Sequence, residues 1–344
     1  MHNADQYDLL IVGGGIIGLF SAYHIKYLHP EKKILLVTEK KVGYGNTENC
    51  VALSSPICES RQIYKMYLES LLLFERYSML VGYKIYKSPI YSITSSTYSM
   101  GFDPLFTRLK DSDKTDFIRK YSDFVKIHKD DHIFFNGIAH HFNVHELISK
   151  IKDSYIQLGG VIAEATPAKG IVYTDNKAHI NLIDGNIISD KVILCMGSYL
   201  PSNNIIDGLR ISSKNKKIVA FQSDFIPDIP NLPVFNFPDE RSFLLARGNH
   251  FYLSLTSNEW GSGKETAWKY TAEDDSILDA ILHKRINIER GILKGVWGGD
   301  NYTEDKIPRI RHYNEQILYV EGASGRGLKL GPYIAAEFER KMFN

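Results

Sequence analysis

The sequence predicts an α/β fold in which a parallel-sheet domain is interrupted by a second, mixed-sheet α+β domain. A glycine-rich turn joins an apolar run at residues 7–12 to a helical pattern. Similar strand and helix patterns recur in the middle and at the end of the chain, and the stretches between them are rich in strand-forming residues. A chain of 344 residues is long enough for two such domains.

The first unit reads strand, helix, strand. "YDLLIV" at 7–12 is a short apolar run that ends in glycine, as a buried parallel strand does. Apolar residues between Ile16 and Leu28 recur on one helical face until His29-Pro30 interrupts them. "KILLVT" at 33–38 then predicts the second strand.

The later elements follow from the same periodicities. Helical spacing predicts three long helices, at 60–80, 144–158 and 274–293. Strand-forming residues dominate from about residue 83 and again over 217–256. Short strands are predicted at "AHINLI", "NIIS" and "KVILCMG", the first two joined by an Asp184-Gly185 hairpin turn. The chain ends in a strand, a glycine-rich turn and a helix that begins near Leu330.

Composition narrows the class of protein. The net charge of +1 provides no electrostatic footprint for nucleic acid or for an anionic membrane. The three cysteines, Cys50, Cys58 and Cys195, support neither a disulfide framework nor a thiolate zinc site, and Cys195 is expected to be a packed strand residue. No signal sequence or 18-residue apolar stretch is present, so we expect a cytoplasmic protein.

The glycine spacing predicts a dinucleotide site. Gly13 permits a tight turn, Gly15 lets the backbone approach a pyrophosphate, and Gly18 lets the helix pack on the strand. The helix N-terminus at Ile16 and Ile17 supplies N–H groups and a partial positive charge. Glu39, followed by Lys40, closes the second strand where a carboxylate would bind a ribose diol, which disfavours NADP. NAD and FAD both remain open on these residues alone.

Four ordered motifs resemble the D-amino acid oxidase superfamily, which includes glycine oxidase and sarcosine oxidase. The first is the segment just described. The others are "GYGNTENC" at 43–50, "KVILCMGSY" at 191–199, and "TEDKIPRIRHYNEQILYVEGASGRGLKLGP" from Thr303. The resemblance implies a Rossmann-type FAD-binding domain of the glutathione-reductase type with an inserted substrate domain. It also implies FAD held non-covalently, since no cysteine lies shortly before the last glycine turn.

The resemblance assigns further cofactor contacts. The loop after Glu39 would run along the pyrophosphate, and the helix after the last glycine turn would aim its positive end at the pyrimidine side of the flavin. Lys329 would add to this effect, or else be a solvated loop lysine. The expected contacts are Asn46, Thr47, Ala168, Gly197, Gly325, Arg326, Gly327, Leu328 and Lys329.

By resemblance, the reaction removes hydride from the carbon next to an amine and passes electrons to dioxygen or another acceptor. The expected partner is a small-molecule amine, and the oligomeric state is left open. One alternative is an FAD-dependent 2-hydroxyacid dehydrogenase that uses a quinone. Another is an NAD-linked or redox-inactive nucleotide-binding protein that keeps the fold as a scaffold.

The candidate catalytic residues are Tyr252, Asp300 and Arg326. Tyr252 matches a family tyrosine on a substrate-domain strand, and Trp297 lies where relatives often carry an aromatic residue. Where the family places a carboxylate-clamping arginine, three residues before Thr303, this chain has Asp300. Asp300 would pair with a substrate cation, or be a turn residue beside Gly298-Gly299.

Two further expectations concern organisation and metals. The predicted FAD-binding domain comprises residues 1–83, 141–215 and 300–344, and the substrate domain comprises 84–140 and 216–299. The histidines of "AHHFNVHE", His140, His141 and His145, lack matched further ligands, so they predict a surface cluster and no metal site.

Overall fold

The computed structural model describes residues 6–95, 106–183, 185–202, 205–223, 232–248, 250–261 and 268–343. The helices are α1 (Ile16–Leu28), α2 (Arg61–Val81), α3 (Asp111–Tyr121), α4 (Val144–Gln157), α5 (Ala272–Lys284) and α6 (Gly327–Phe343). The strands of the first half are β1 (Gln6–Val12), β2 (Ile34–Val37), β3 (Leu53–Ser54), β4 (Tyr86–Thr94), β5 (Thr107–Arg108), β6 (His132–His141), β7 (Val161–Ala163) and β8 (Ala168–Thr174). Those of the second half are β9 (Lys177–Leu182), β10 (Gly185–Leu194), β11 (Lys214–Ser223), β12 (Val234–Phe237), β13 (Ser242–Arg247), β14 (His250–Gly261), β15 (Lys294–Tyr302), β16 (Arg309–His312) and β17 (Ile317–Glu321).

The first sheet leads into the glycine turn, residues 13–15, which joins β1 to α1. Its strand order is β16-β17-β10-β1-β2-β7, with β9 also paired to β10 and β8 paired to β9. β1 is parallel to both β2 and β10, and Val12 lies in register with Val37 and Leu194. Three strands therefore end side by side, which is the edge where ligands bind in open parallel sheets.

The second sheet has the strand order β15-β11-β14-β13-β12-β4-β6-β3, with β5 paired to β6. The pairing of β12 with β4 is parallel and that of β11 with β14 is antiparallel, so this sheet is mixed. One face is buried under α3 and α5, with Phe221 and Leu253 in its core. The other face carries half-buried residues such as Gln222 and Tyr252. The predicted α/β class with a second mixed sheet is confirmed, and the domain boundaries stay a prediction.

Helices α1, α2, α4 and α6 pack together on one face of the first sheet. α1 and α6 meet closely, because a side chain at Gly331 would come within 3.2 Å of the Phe20 ring. Strands β8 and β9 and the 3₁₀ helix Gly197–Ser202 cover part of the opposite face. In the described part of the chain, no helix has both the length and the apolar character to cross a bilayer.

Several predicted boundaries are wrong. α5 ends at Lys284, nine residues before the predicted end at 293, because Arg285 turns inward to bond Asp131 at 2.7 Å and Ile286 forms a bridge with Val125. The helix predicted from Leu330 begins at Gly327. "NIIS" and the strand part of "KVILCMG" form one continuous strand, β10. Asp184, of the predicted hairpin turn, lies outside the described residues.

The histidine cluster is not at the surface as predicted. His140 and His141 end strand β6 and are buried, whereas His145 on α4 is exposed. Strand pairing explains the error, because β6 lies between β4 and β3 and both neighbours cover it. Burial lowers the pKa of His141 to about 4, so this histidine is neutral at pH 7.

Candidate functional site

The β1–α1 unit requires glycine at two positions, one in the turn and one in the first turn of the helix. Gly13 has φ +110°, and a Cβ there would overlap the carbonyl oxygen of Cys195. A Cβ at Gly18 would overlap the carbonyl oxygen of Gly13, so the helix packs directly on the strand. At Gly15 a Cβ would meet only the Thr47 hydroxyl at 3.5 Å. The backbone at Gly15 is therefore open to a ligand.

The start of α1 is tied to the loop that follows Glu39. Gly15 is the N-cap of the helix and provides no side-chain cap, and the Ile16 N–H donates to the Thr47 hydroxyl at 3.0 Å. The first turn carries no acidic residue, so the positive end of the helix dipole is not neutralised there. This end suits an anion such as a diphosphate.

A cavity of about 820 Å³ lies over the carboxyl ends of β1, β2 and β10. This volume is in the upper part of the range of roughly 300–1,000 Å³ found for small-molecule sites. It is lined by Val12, Gly13, Gly14, Gly15, Val37, Thr38, Glu39, Lys40, Tyr44, Gly45, Asn46, Thr47, Glu48, Asn49, Thr166, Pro167, Ala168, Lys169, Cys195, Met196, Gly197, Ser198, Tyr199, Asn215, Trp268, Trp297, Gly298 and Gly299. An elongated ligand could extend from the glycine turn to strand β15.

The structure brings together one group of the predicted site residues. Those that line the cavity are Gly13, Gly15, Glu39, Lys40, Asn46, Thr47, Ala168 and Gly197, together with Trp297. The remaining predicted residues do not line it among the described positions: Ile16, Ile17, Gly18, Tyr252, Asp300, Gly325, Arg326, Gly327, Leu328 and Lys329. The roles of both groups stay predictions.

The far end of the cavity is formed by β15 of the second sheet. The Asn46 amide donates to the Gly299 carbonyl oxygen, and the Trp268 indole packs directly against Gly299. Trp297 on the same strand is 39% exposed. Trp268 and Asn215 were not predicted as site residues, because only tertiary pairing brings their strands and loops to this edge.

The second sheet also holds the turn before α6. The Gly322 N–H donates to Asn301 Oδ1 at 2.6 Å, and the Ser324 N–H donates to the Asn301 carbonyl oxygen at 2.8 Å. Asn301 Nδ2 in turn donates to Asn215 Oδ1 at 3.2 Å. Gly322 and Gly325 have φ +74° and +76°, which glycine adopts without strain.

Lys329 is buried rather than solvated, so the expectation of a solvated loop lysine is wrong. Its Nζ donates to the Ile57 carbonyl oxygen at 2.7 Å and to Cys58 Sγ at 3.2 Å. Burial lowers the pKa of Lys329, and the neighbouring Cys58 opposes that shift. Arg326, three residues earlier, forms an ion pair with Glu59. These contacts fix the N-terminal turn of α6 against the segment that follows the 43–50 loop.

Asp300 lies within β15, in register with Lys216, so it is not a turn residue. The side chain is half-buried, and its Oδ1 accepts from the Asn301 N–H at 2.9 Å. Burial raises the pKa of Asp300, and backbone hydrogen bonds from Asn301 and Gly325 partly oppose the shift. A half-buried carboxylate of this kind can bind a cation but repels an anion.

Tyr252 is half-buried on β14, where it lies in register with Gln222 and Leu245. The guanidinium of Arg247 lies 4.5 Å from the centre of its ring. Arg247 was not predicted as a site residue, since an arginine at the end of "SFLLAR" carries no local signal. Only the structure shows that this arginine is 9% exposed.

Comparisons with known proteins agree with this architecture. The fold is similar to that of L-proline dehydrogenase from P. horikoshii, with TM-score 0.84 and 14% identity over 99% of this chain and 94% of that one. It is also similar to glycine oxidase from Geobacillus kaustophilus, with TM-score 0.81 and 15% identity over 99% and 96%. NikD, an unusual amino acid oxidase essential for nikkomycin biosynthesis, gives TM-score 0.83 and 13% identity over 99% and 94%.

One curated relative is similar over a short stretch, the uncharacterized protein R188 of Acanthamoeba polyphaga mimivirus. It is 40% identical over 47 residues, which are 14% of this chain and 9% of that protein. The family described as DAO, FAD dependent oxidoreductase, matches residues 8–339. The resemblance predicted from the four motifs is thereby confirmed. This chain belongs to the DAO family of FAD-dependent oxidoreductases.

Proposed function

We propose that this protein oxidises a C–N bond of a small amine or amino-acid-like substrate to the imine, with FAD as hydride acceptor and dioxygen as the final oxidant. One observation carries the proposal: the cavity runs without interruption from the glycine turn to the β15 strand of the second sheet. It thus connects a dinucleotide cradle with a second surface on which a substrate can lie.

The residues that line the cavity fit FAD. Gly15 and Gly45 leave open space where a side chain would intrude, and the α1 N-terminus is free of acidic residues. Glu39 is exposed at the end of β2, where it can accept hydrogen bonds from a ribose. When bound, FAD supplies the electron-accepting ring for the reaction.

The chain itself supplies orientation and electrostatics. We infer that the N-terminal turn of α6, fixed by Asn301 and by the buried Lys329, provides a positive field toward the flavin ring. Trp268 and Trp297 line the β15 end of the cavity, where they would exclude water from a bound ring. We propose that Tyr252 and Asp300 are among the polar groups of the second sheet that contact the substrate.

The proposed substrate class rests on the names of the structural relatives and on Asp300, which stands where the family has an arginine. The names of the structural relatives refer to proline, to glycine and to an amino acid as substrates. We propose an amine of related chemistry for this chain. Asp300, at the position of the family's carboxylate clamp, would pair with a cationic group of the substrate, so simple free amino acids would not be bound in the family's usual way.

The proposal is tested on purified protein reconstituted with FAD. Small D- and L-amino acids, N-methylated amino acids and diamines are added anaerobically, and bleaching of the flavin absorbance is followed. We expect an amine that carries a second cationic group to reduce the flavin faster than glycine or D-alanine. Peroxide formed on admission of air would support dioxygen as the oxidant, whereas its absence with a quinone-dependent reaction would indicate a dehydrogenase.

Two outcomes would contradict the proposal. Reduction by 2-hydroxyacids but by no amine would favour the hydroxyacid dehydrogenase alternative. Bound FAD that neither class of compound reduces would favour a scaffold role. The cytoplasmic location and the lack of a nucleic-acid partner remain proposals from composition, which fractionation of the source cells and a filter-binding assay can test.

A further inference from the structure

We propose that Arg247 is an anion-binding residue of the substrate face, and that it takes a carboxylate of the substrate in place of the arginine missing at position 300. The inference rests on the proposed function and deepens it, because it states that the substrate carries a carboxylate. Arg247 is the last residue of β13, so this strand would hold the group that binds the substrate carboxylate.

Arg247 is a buried cation that has no acidic partner among the described residues. The residue is 9% exposed, and its only hydrogen bond among the described residues runs from Nη1 to the Val51 carbonyl oxygen at 2.8 Å. No acidic side chain in the described part of the chain forms an ion pair with it. A buried guanidinium with most of its five donors unused is costly unless an anion completes it.

The contrast with the other buried arginine supports this argument. Arg285 is fully buried, and it contacts three carboxylates, those of Asp131, Asp239 and Glu240. The fold therefore neutralises one buried arginine internally and leaves Arg247 unneutralised. Such a difference is expected where a ligand supplies the missing charge.

Arg247 lies on the same face of the second sheet as Tyr252. By strand register, Arg247 pairs with His250, Tyr252 pairs with Gln222, and successive even-numbered residues of β14 share one face. This is the half-buried face, opposite the one that packs under α3 and α5. The guanidinium lies over the Tyr252 ring, so it is on the surface that carries the predicted substrate residue.

Arg247 also donates to the Val51 carbonyl oxygen, just after the loop that lines the cavity. Cys50 is the last residue of the 43–50 loop, most of which lines the cavity, and both Arg247 and Asp300 act electrostatically on the pKa of its thiol. A cation and a carboxylate thus both lie near the end of this loop. A substrate with one anionic and one cationic group fits that arrangement of charges.

A purely structural role is the rival explanation. The bond to the Val51 carbonyl oxygen could simply tie the 50–53 segment to the second sheet. The two roles differ in what they need: the tether needs one N–H donor, whereas the anion site needs the positive charge. Arg247→Gln keeps an amide donor and removes the charge, and Arg247→Lys keeps the charge.

The experiment measures anion binding to the oxidised holoprotein, without turnover. Acetate and benzoate are titrated by calorimetry and by their perturbation of the flavin spectrum, each against its uncharged match, acetamide or benzamide. Wild type should prefer the carboxylate by about 10-fold or more, as expected for a charge-assisted contact. The preference should vanish in Arg247→Gln and Arg247→Met and persist in part in Arg247→Lys.

The matched control is Arg241→Met, at an exposed arginine that immediately precedes β13. It should leave the preference unchanged. A preference that survives in Arg247→Gln, or no preference in wild type, would overturn the inference. If Arg247→Met does not fold, the comparison of the Lys and Gln variants decides.

The result is separable from that for the proposed reaction. A carboxylate preference that depends on Arg247, in a protein whose flavin no amine reduces, would retain the anion site and refute the reaction. Amine oxidation in a protein that shows no such preference would support the reaction and refute the anion site. Where amine turnover is found, Arg247→Lys should raise KM for substrates that carry a carboxylate more than it lowers kcat.

Discussion

Gly13 must be glycine for two reasons, because its φ is positive and because no space exists for a side chain. Gly13→Ala should lower the free energy of unfolding by at least about 3 kcal/mol, because strain at φ +110° adds to the overlap with the Cys195 carbonyl oxygen. Urea unfolding measures the loss, and flavin fluorescence measures the accompanying drop in FAD affinity.

The control for Gly13 is Gly82, which ends α2 at φ +81° with open space around it. Gly82→Ala should cost about 1–2 kcal/mol from backbone strain alone and leave FAD affinity unchanged. Equal losses of stability and of affinity in the two variants would show that the glycine turn does not approach the cofactor.

Asp300 provides a second prediction at this scale. Asp300→Asn should raise KM for a cationic amine about 10-fold or more with little change in kcat, because a charge-assisted contact is lost. Burial raises the pKa of this carboxyl, so in wild type KM should also rise as the pH falls toward that pKa. Steady-state kinetics at several pH values tests both effects. An unchanged KM in the variant would contradict substrate binding by Asp300. Its role would then be the backbone contact with the turn at Gly325.

At the scale of elements, Asn301 joins β15 to the turn before α6. Asn301→Ala would leave the buried Gly322 N–H without its acceptor and Asn215 Oδ1 without the donor that Asn301 provides, which should cost about 2–4 kcal/mol of unfolding free energy. FAD affinity should fall as well, because the turn that orients α6 loses its anchor. Urea unfolding and flavin titration measure the two losses.

An asparagine-to-alanine change at a helix cap is the control that distinguishes a loss of stability from a loss of cofactor binding. Asn143 caps α4 through bonds to the N–H groups of His145 and Glu146, away from the cavity. Asn143→Ala should cost about 1 kcal/mol and leave FAD affinity unchanged. An Asn301→Ala protein that binds FAD as tightly as Asn143→Ala would contradict the anchoring role.

For the whole molecule, buried histidines predict sensitivity to acid. Burial lowers the pKa of both His24 and His141 to about 4 from the ordinary value of 6.5. The unfolded chain therefore binds more protons between these values, and stability must fall as the pH drops from 6.5 toward 4. Each histidine should contribute roughly 3 kcal/mol to this loss.

Urea unfolding of the holoprotein at pH 7 and pH 4.5 measures the acid effect. His141→Gln should reduce the difference between the two pH values, whereas His145→Gln, at an exposed position on α4, should not. A free energy of unfolding that is the same at both pH values would show that these histidines protonate in the folded protein without cost.

The parts that could be predicted from sequence are those whose cause is local. The glycine turn, Glu39 and the helix over 60–80 depend on residues a few positions apart, and the strand–turn–helix at the chain end does as well. The end of α5 could not be predicted, since Arg285 leaves the helix for Asp131, 154 residues away. Trp268 and Arg247 acquire their places only when the second sheet pairs its strands.

The contact between α1 and α6 has a consequence for biosynthesis. The two helices that flank the cofactor cradle lie more than 290 residues apart in sequence and pack through Phe20 and Gly331. A ribosome must therefore translate residues 327–343 before this half of the cradle can close. Nascent chains stalled before α6 should fail to retain flavin, and the cofactor would be acquired only after that helix has emerged.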